Sequence, residues 1–306
     1  MRWLAPEFGP ILPNGIMSES SKTETPSLAE LRLEIDGIDA AMHRLLMQRG
    51  EIISRLIEVK RTQESGSAFR PAREAEMMRR LVERHRGILP LDTAESIWRV
   101  IIATFTFVQS PYAVHADLSS GDVAIRDSAR FHFGFTVPFV THPDAASVVT
   151  AVAAARGDLG LVPVTTRAGV GPWWSALEGD DRPKIIARLP FVERVNHPAG
   201  LPVFVVARPT PDAMVKEVEV WSIRVAGWGP LAARRLAPLA EAVVSPDSAL
   251  DGAALLLSVG SAGGLAKAMD ALLEAGASVR SAALVGSHAT RYTVQAEEAR
   301  PIGAGQ

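Results

Sequence analysis

The sequence predicts a multidomain chain: an all-α segment of three helices over residues 27–112, then an α/β (or α+β) domain over residues 113–296. Three observations predict it. Between Leu28 and Val59 the apolar residues recur at steps of three and four, the seam of a long helix packed on another helix. Two following stretches carry helix start and stop signals. Beyond about Val114 charge thins, Gly, Pro and Val become frequent, and short apolar runs alternate with helical patterns. Residues 1–26 read as a disordered leader, with Met17 as the expected natural start, and residues 297–306 as a loose tail.

Bulk composition narrows the function classes. The 306 residues suffice for two modest domains with real cores. A hydrophobic content of 47% with a net charge of −2 gives no reason to expect nucleic acid or an anionic membrane as a partner. The absence of cysteine excludes disulfides, thiolate metal sites and a cysteine nucleophile, and suits a reducing cytoplasm. No apolar run approaches the ~18 residues of a membrane span, and the proline-interrupted start does not read as a signal peptide.

The first helix runs from Ser27 to Arg61, and its seam is broken by one charged residue, Arg49. A guanidinium cannot shed its proton, so on an apolar stripe it must meet an anion or carry a desolvation cost. Lys60, eleven residues on, returns to within roughly 20° of the same direction at ~100° per residue, about 16 Å further along the axis. Two cations on one inward face describe a polar pocket. Arg32 points roughly 100° away from Arg49 and ~25 Å distant, so one helix cannot bring both together. A second copy of the helix can. At ~1.5 Å per residue this helix is ~50 Å long, more than two short helices cover, which predicts an intertwined homodimer with Arg32 contributed in trans.

The second helix begins at Pro71 within RPAREAEMMRRLVERHRG and stops near Gly87. The third is introduced by Asp92 and Glu95, spaced as a capping box, and ends at Pro111. In the α/β domain VPFVTH, DLGLVPV, KIIARL, GLPVFVVA, EVEVWSIRVAG and AALLLSVG read as strands. Helices are expected from Pro143, in GPLAARRLAPLA and in GGLAKAMDALLEAG, with SVRSAALVG and ATRYTVQ closing the domain. His85 and His197 read as surface or loop residues, and the histidines offer no metal-ligand spacing.

Taken singly, Arg73 and Glu74 are a solvated helix face and Gln109 a satisfied amide near a helix end. Taken with Arg32, Arg49 and Lys60, they form a pattern. Arg32 in LAELRLEIDGID, Arg49 in LLMQRGE, Lys60 in EVKR, Arg73-Glu74 in RPAREAE and Gln109 in IIATFTFVQSP resemble the all-helical, AroQ-class chorismate mutase domain over residues 27–111. Two positions depart: Arg70 stands where an Asp is known, and Phe105 where the family often has a Ser that contacts a substrate carboxylate.

The resemblance implies the Claisen rearrangement of chorismate to prephenate in phenylalanine and tyrosine biosynthesis. This one-step pericyclic shift needs no cofactor, metal or nucleophile; it needs a compact conformer and stabilised charge on the breaking ether oxygen. It implies Arg32, Arg49 and Arg73 as substrate-binding residues and Lys60, Gln109 and Glu74 as the catalytic set. Lys60 and Gln109 would donate to the ether oxygen, and Glu74 would accept from the substrate hydroxyl. Within the second domain, DAASVVTAVAAARGDLGLVPVTT resembles a helix–strand unit of prephenate dehydratase, and GSAGGLAKAMDALLEAGASV resembles a small amino-acid-sensing, ACT-like module. That domain is read as a diverged module for regulation or interaction, with an aromatic amino acid as candidate effector. Gly263 and Gly264 read as a tight turn, and no role is carried to Thr290 of Thr290-Arg291-Tyr292. The rival readings are an isochorismate pyruvate lyase, a bifunctional mutase–dehydratase, and a non-catalytic ligand sensor.

Overall fold

A computed structural model describes residues 26–60, 68–169, 171–208, 215–247 and 252–295. Met17, most of the expected leader and the expected tail lie outside the described residues. By compactness the chain forms two units, Met1–Glu51 and Ile52–Gln306, divided inside the first helix.

Helix α1 spans Leu28–Lys60. Its start is a capping box that the periodicity did not reveal: Glu30 N–H donates to Ser27 Oγ at 3.3 Å, and Ser27 N–H donates to Glu30 Oε2 at 2.7 Å. The apolar seam is exposed along its length, from Leu28 through Ile35, Ile38 and Met42 to Leu45.

In the second unit, helix α2 (Pro71–Arg84) begins at the expected proline and helix α3 (Leu91–Gln109) ends ahead of Pro111. The expected capping box at Asp92 does not form. Pro90 holds the N-cap position, and Asp92 and Glu95 both turn to Arg194 instead. Then come β1 (Val114–Asp117), α4 (Asp122–Phe133), β2 (Phe139–His142), α5 (Ala145–Ala154) and β3 (Leu159–Pro163). Helix α5 starts two residues after Pro143, because the Asp144 carboxylate accepts from Ser147 N–H at 2.7 Å and caps it.

A 3-10 turn (Trp173–Leu177) leads to β4 (Lys184–Leu189), β5 (Val192–Glu193) and β6 (Val203–Ala207). The remainder is β7 (Val218–Ala226), α6 (Pro230–Leu236), β8 (Glu241–Asp247), β9 (Gly252–Gly260), α7 (Gly264–Glu274), β10 (Ser278–His288) and β11 (Tyr292–Thr293). Gly263 takes the left-handed conformation at the start of α7, the turn expected of it.

Nine strands form one mixed sheet in the order β2-β1-β3-β6-β4-β10-β7-β9-β8, and β11 pairs β5 apart from it. Strands β1, β2 and β3 run parallel through the crossovers α4 and α5. Strands β7 to β10 with α6 and α7 make a βαββαβ unit, joined to the first half where β10 lies parallel to β4 at Gly286 and Ile185. A side chain at Gly286 would meet the Ile185 carbonyl oxygen at 2.1 Å, so this junction requires glycine. The outer edge of β8 is covered: Val244 N–H donates to Thr166 O, and Ala168 N–H to Val244 O, each at 3.1 Å.

One core cluster joins Met78, Leu81 and Val82 of α2 and Ile102 and Ala103 of α3 to Val114, Ile125, Phe133, Leu189 and Val205 around the parallel half of the sheet. The α2–α3 pair thus buries its apolar face on the α/β elements. On the opposite face of that half, Gly160 lets α5 approach, since a Cβ there would stand 2.6 Å from Val148 Cγ1 and 3.1 Å from Val152 Cγ2. Gly160→Ala is expected to cost about 1–3 kcal/mol by overpacking, seen as a lowered thermal midpoint.

Candidate active site

Arg32 is exposed on α1 and Arg49 half-buried. Lys60 closes α1; its side chain lies outside the described residues. On α2, Arg73 is exposed while Glu74 is 4% exposed, so these neighbours turn to different surroundings. Gln109, half-buried at the end of α3, donates from Nε2 to the Phe105 carbonyl at 2.9 Å, within its own helix.

Among the described residues, the structure joins Glu74 to Arg99 rather than to Arg73 or Gln109. Arg99 Nη1 donates to Glu74 Oε2 at 2.8 Å, and Arg99 Nη2 donates to the His132 carbonyl of α4 at 3.0 Å. The guanidinium is 1% exposed and stands 5.3 Å from the Phe191 ring centroid. Burial pushes the Glu74 carboxyl above its ordinary range, against the pull of Arg99.

Helix spacing does not single out Arg99, although a signal is present. In SIWRVIIATF it is a lone charge within an apolar run, the circumstance that distinguishes Arg49.

Beside this pair lies a second buried polar group. Arg194 Nη1 donates to Glu95 Oε2 at 2.6 Å and Arg194 Nε to Asp92 Oδ1 at 2.8 Å, while His197 Nε2 lies 3.4 Å from Glu95 Oε2. His197 lies in the loop between β5 and β6, as one of the two expectations had it, but it is buried there rather than on the surface, and its ring stacks on that of His132 at 6.3 Å. Arg194→Ala would strand the fully buried Glu95 carboxylate, and a loss of about 3–5 kcal/mol in denaturant unfolding is expected.

Burial keeps two histidines neutral: His132 falls well below its ordinary value and His288 falls to about 4. Both bind protons only on unfolding, so stability should decline as pH falls from about 6.5 toward 4, by up to ~1.4 kcal/mol per pH unit for each. Glu74, whose carboxyl is raised, works the opposite way and reduces the net slope. Urea midpoints at pH 7 and pH 5 would measure it. The histidines are also less scattered in space than in sequence: His115 Nδ1 lies 2.8 Å from His142 Nε2, and His115 Nε2 lies 3.1 Å from Asp158 Oδ2.

Among the described residues, two pockets of the second unit bear on the site. One, of about 140 Å³, opens at the ends of β1 and β3 where the parallel strand order reverses, lined by Asp117, Ser119, Asp144, Thr165, Arg167 and Trp173. Such a switch point is where open α/β sheets bind ligands. The other, of about 210 Å³, is lined by Ala72, Glu76 and Arg79 of α2 together with Phe191 and Thr290-Arg291-Tyr292. There Arg291 is committed to Glu193 at 2.8 Å and Glu241 at 3.6 Å.

Residues 31–110 match the family model "Chorismate mutase type II". The chain is 28% identical over 153 residues to the bifunctional chorismate mutase/prephenate dehydratase of Neisseria gonorrhoeae, covering 49% of this chain and 41% of that protein. It is 30% identical over 141 residues to the protein of the same description from Aquifex aeolicus, covering 45% of this chain and 38% of the relative. The chain thus spans about two fifths of the length of the curated relatives it matches. Among solved structures, prephenate dehydratase from Streptococcus mutans aligns over 58% of this chain and 97% of its own, at 12% identity and a TM-score of 0.33. The chain is multidomain, with a helical segment matching the mutase family followed by an α/β domain with a large mixed sheet. No helix among the described residues is long and apolar enough to cross a membrane.

Proposed function

We propose that the chain rearranges chorismate to prephenate. The observation that carries this is the family match, which spans Arg32, Arg49, Lys60, Arg73, Glu74 and Gln109, the residues whose types suit a flexible dicarboxylate with a charge-accumulating ether oxygen. Arg32, Arg49 and Arg73 hold the carboxylates, where guanidinium forks give bidentate contacts. Lys60 and Gln109 donate to the ether oxygen as its bond breaks. Glu74, expected to meet the ring hydroxyl, is engaged by Arg99. The working form is a homodimer with Arg32 supplied by the partner; the exposed apolar seam of α1 supports it. The chain acts in the cytoplasm, which its lack of cysteine suits.

Incubation with chorismate decides the reaction. Prephenate as sole product is expected; formation of neither product, prephenate or phenylpyruvate, overturns the proposal. A second reading, that the α/β domain carries prephenate on to phenylpyruvate, is favoured by the names of the relatives and by the switch-point pocket. Phenylpyruvate formed from added prephenate at neutral pH, above the acid-catalysed background, would establish it. The βαββαβ unit is the proposed seat of an aromatic amino acid effector.

A further inference from the structure

We propose that the pocket at the ends of β1 and β3 binds an apolar α-amino acid, taken as its zwitterion. The inference goes beyond the mutase reading and stands without it.

The pocket is lined by charges of both signs. Asp117 closes β1 and is 4% exposed. Its Oδ1 accepts from Ser119 N–H at 2.8 Å, while its Oδ2 accepts no hydrogen bond among the described residues. A buried carboxylate oxygen left open beside a cavity calls for a donor. Asp144, two residues after β2, lines the cavity too. Ser147 N–H donates to its Oδ1 and holds its carboxyl below the ordinary range, so it stays ionised. A bare metal ion is a poor match for the two carboxylates. No group of three acidic or histidine ligands forms among the described residues, and Arg167 lines the same cavity.

Arg167 is exposed, and its guanidinium makes no hydrogen bond or ion pair among the described residues. Its backbone is nonetheless fixed. Thr165 Oγ donates to the Arg167 carbonyl at 2.7 Å, and Thr166 and Ala168 on either side pair with Val244 of β8. The cation is thus carried on a pinned strap, which limits what binding must order. Trp173 completes the lining: it is half-buried, backed edge-on by Trp174 at 5.9 Å, and presents an apolar surface beside the charges.

Charge selects the ligand. An ammonium meets Asp117 and Asp144, the carboxylate on the same carbon meets Arg167, and an apolar side chain meets Trp173. A dicarboxylate such as prephenate brings two negative charges to two carboxylates and one guanidinium, which sets like charges together. The N-terminus of α5, which would otherwise draw an anion, already holds the Asp144 carboxylate. A plain amine leaves Arg167 unmet.

Isothermal titration calorimetry of the full chain tests this, with L-phenylalanine and L-leucine as probes. The controls are 3-phenylpropionate, which lacks the ammonium, phenethylamine, which lacks the carboxylate, and prephenate. One amino acid per chain is expected to bind below ~1 mM, with each control weaker by about tenfold or more. Arg167→Ala and Asp117→Asn should each weaken phenylalanine binding by about 10–100-fold. Arg167 is exposed, so its removal keeps the test informative even if Asp117→Asn folds poorly. Phenylalanine binding untouched by Arg167→Ala would place the amino acid elsewhere, in the βαββαβ unit, and overturn the inference. Prephenate binding tighter than either amino acid, and lost in Arg167→Ala, would overturn it and give the pocket to the second reading. No heat from either amino acid up to ~10 mM would overturn it as well. Turnover of chorismate by wild type is measured separately, so failure here leaves the mutase reading intact.

Discussion

Lys60→Ala is expected to lower kcat on chorismate by about 10²–10³-fold with a much smaller change in KM. The asymmetry follows from where charge appears. Chorismate's carboxylates are fully charged before and after the shift, so the arginines proposed to hold them would bind ground state and transition state nearly alike. The ether oxygen gains negative charge only as its bond lengthens, so an ammonium beside it is felt mainly in the transition state. Lys60→Arg keeps the charge but replaces a compact donor with a planar fork, and should recover part of the loss at most. Steady-state kinetics on purified prephenate-forming enzyme would check both. Near wild-type turnover in Lys60→Ala would remove this residue from the reaction.

The second large effect concerns sharing between subunits. If the proposed roles hold, Arg32→Ala and Arg49→Ala should each abolish most activity, because each would remove a carboxylate ligand from every site. Mixed in equal amounts under conditions of subunit exchange, half of the dimers carry one variant of each kind. Each such dimer has one site with both arginines and one with neither, so activity should return to about one quarter of wild type. Recovery requires the two arginines of one site to come from different chains. No recovery, with exchange confirmed by mass spectrometry, would show that each chain builds its site alone or that the chain is not a dimer.

The three helices were legible because their signals are local: three-and-four spacing in α1, Pro71 at the start of α2, Pro111 beyond the end of α3. Strands β2, β3, β4, β6, β7, β9 and β10 fell where short apolar runs placed them, whereas β1, β5, β8 and helix α4 were not read from the sequence. What local pattern could not show was partnership. Asp92 and Glu95 have capping-box spacing, yet Arg194, about a hundred residues on, takes both. Ser27 and Glu30 make the box that does form.

The joining of β4 to β10 pairs Ile185 with Gly286, which no window of neighbouring residues contains. Of the candidate site, the helices that carry Arg32, Arg49, Arg73, Glu74 and Gln109 were legible, and the burial of Glu74 was not. Its exposure depends on Arg99 and on Phe191, which arrives from the short link between β4 and β5.

Because α2, α3 and the parallel strands close over one apolar interior, the chain cannot be cut at residue 112 into independent working pieces. A helical fragment ending there would carry its core face bare, and the remainder would lose the lid over Val114 and Phe133. Each would be a substrate for proteases and aggregation rather than an enzyme. A lineage that shed the second module would therefore first have to repaint the inner faces of these two helices with polar residues.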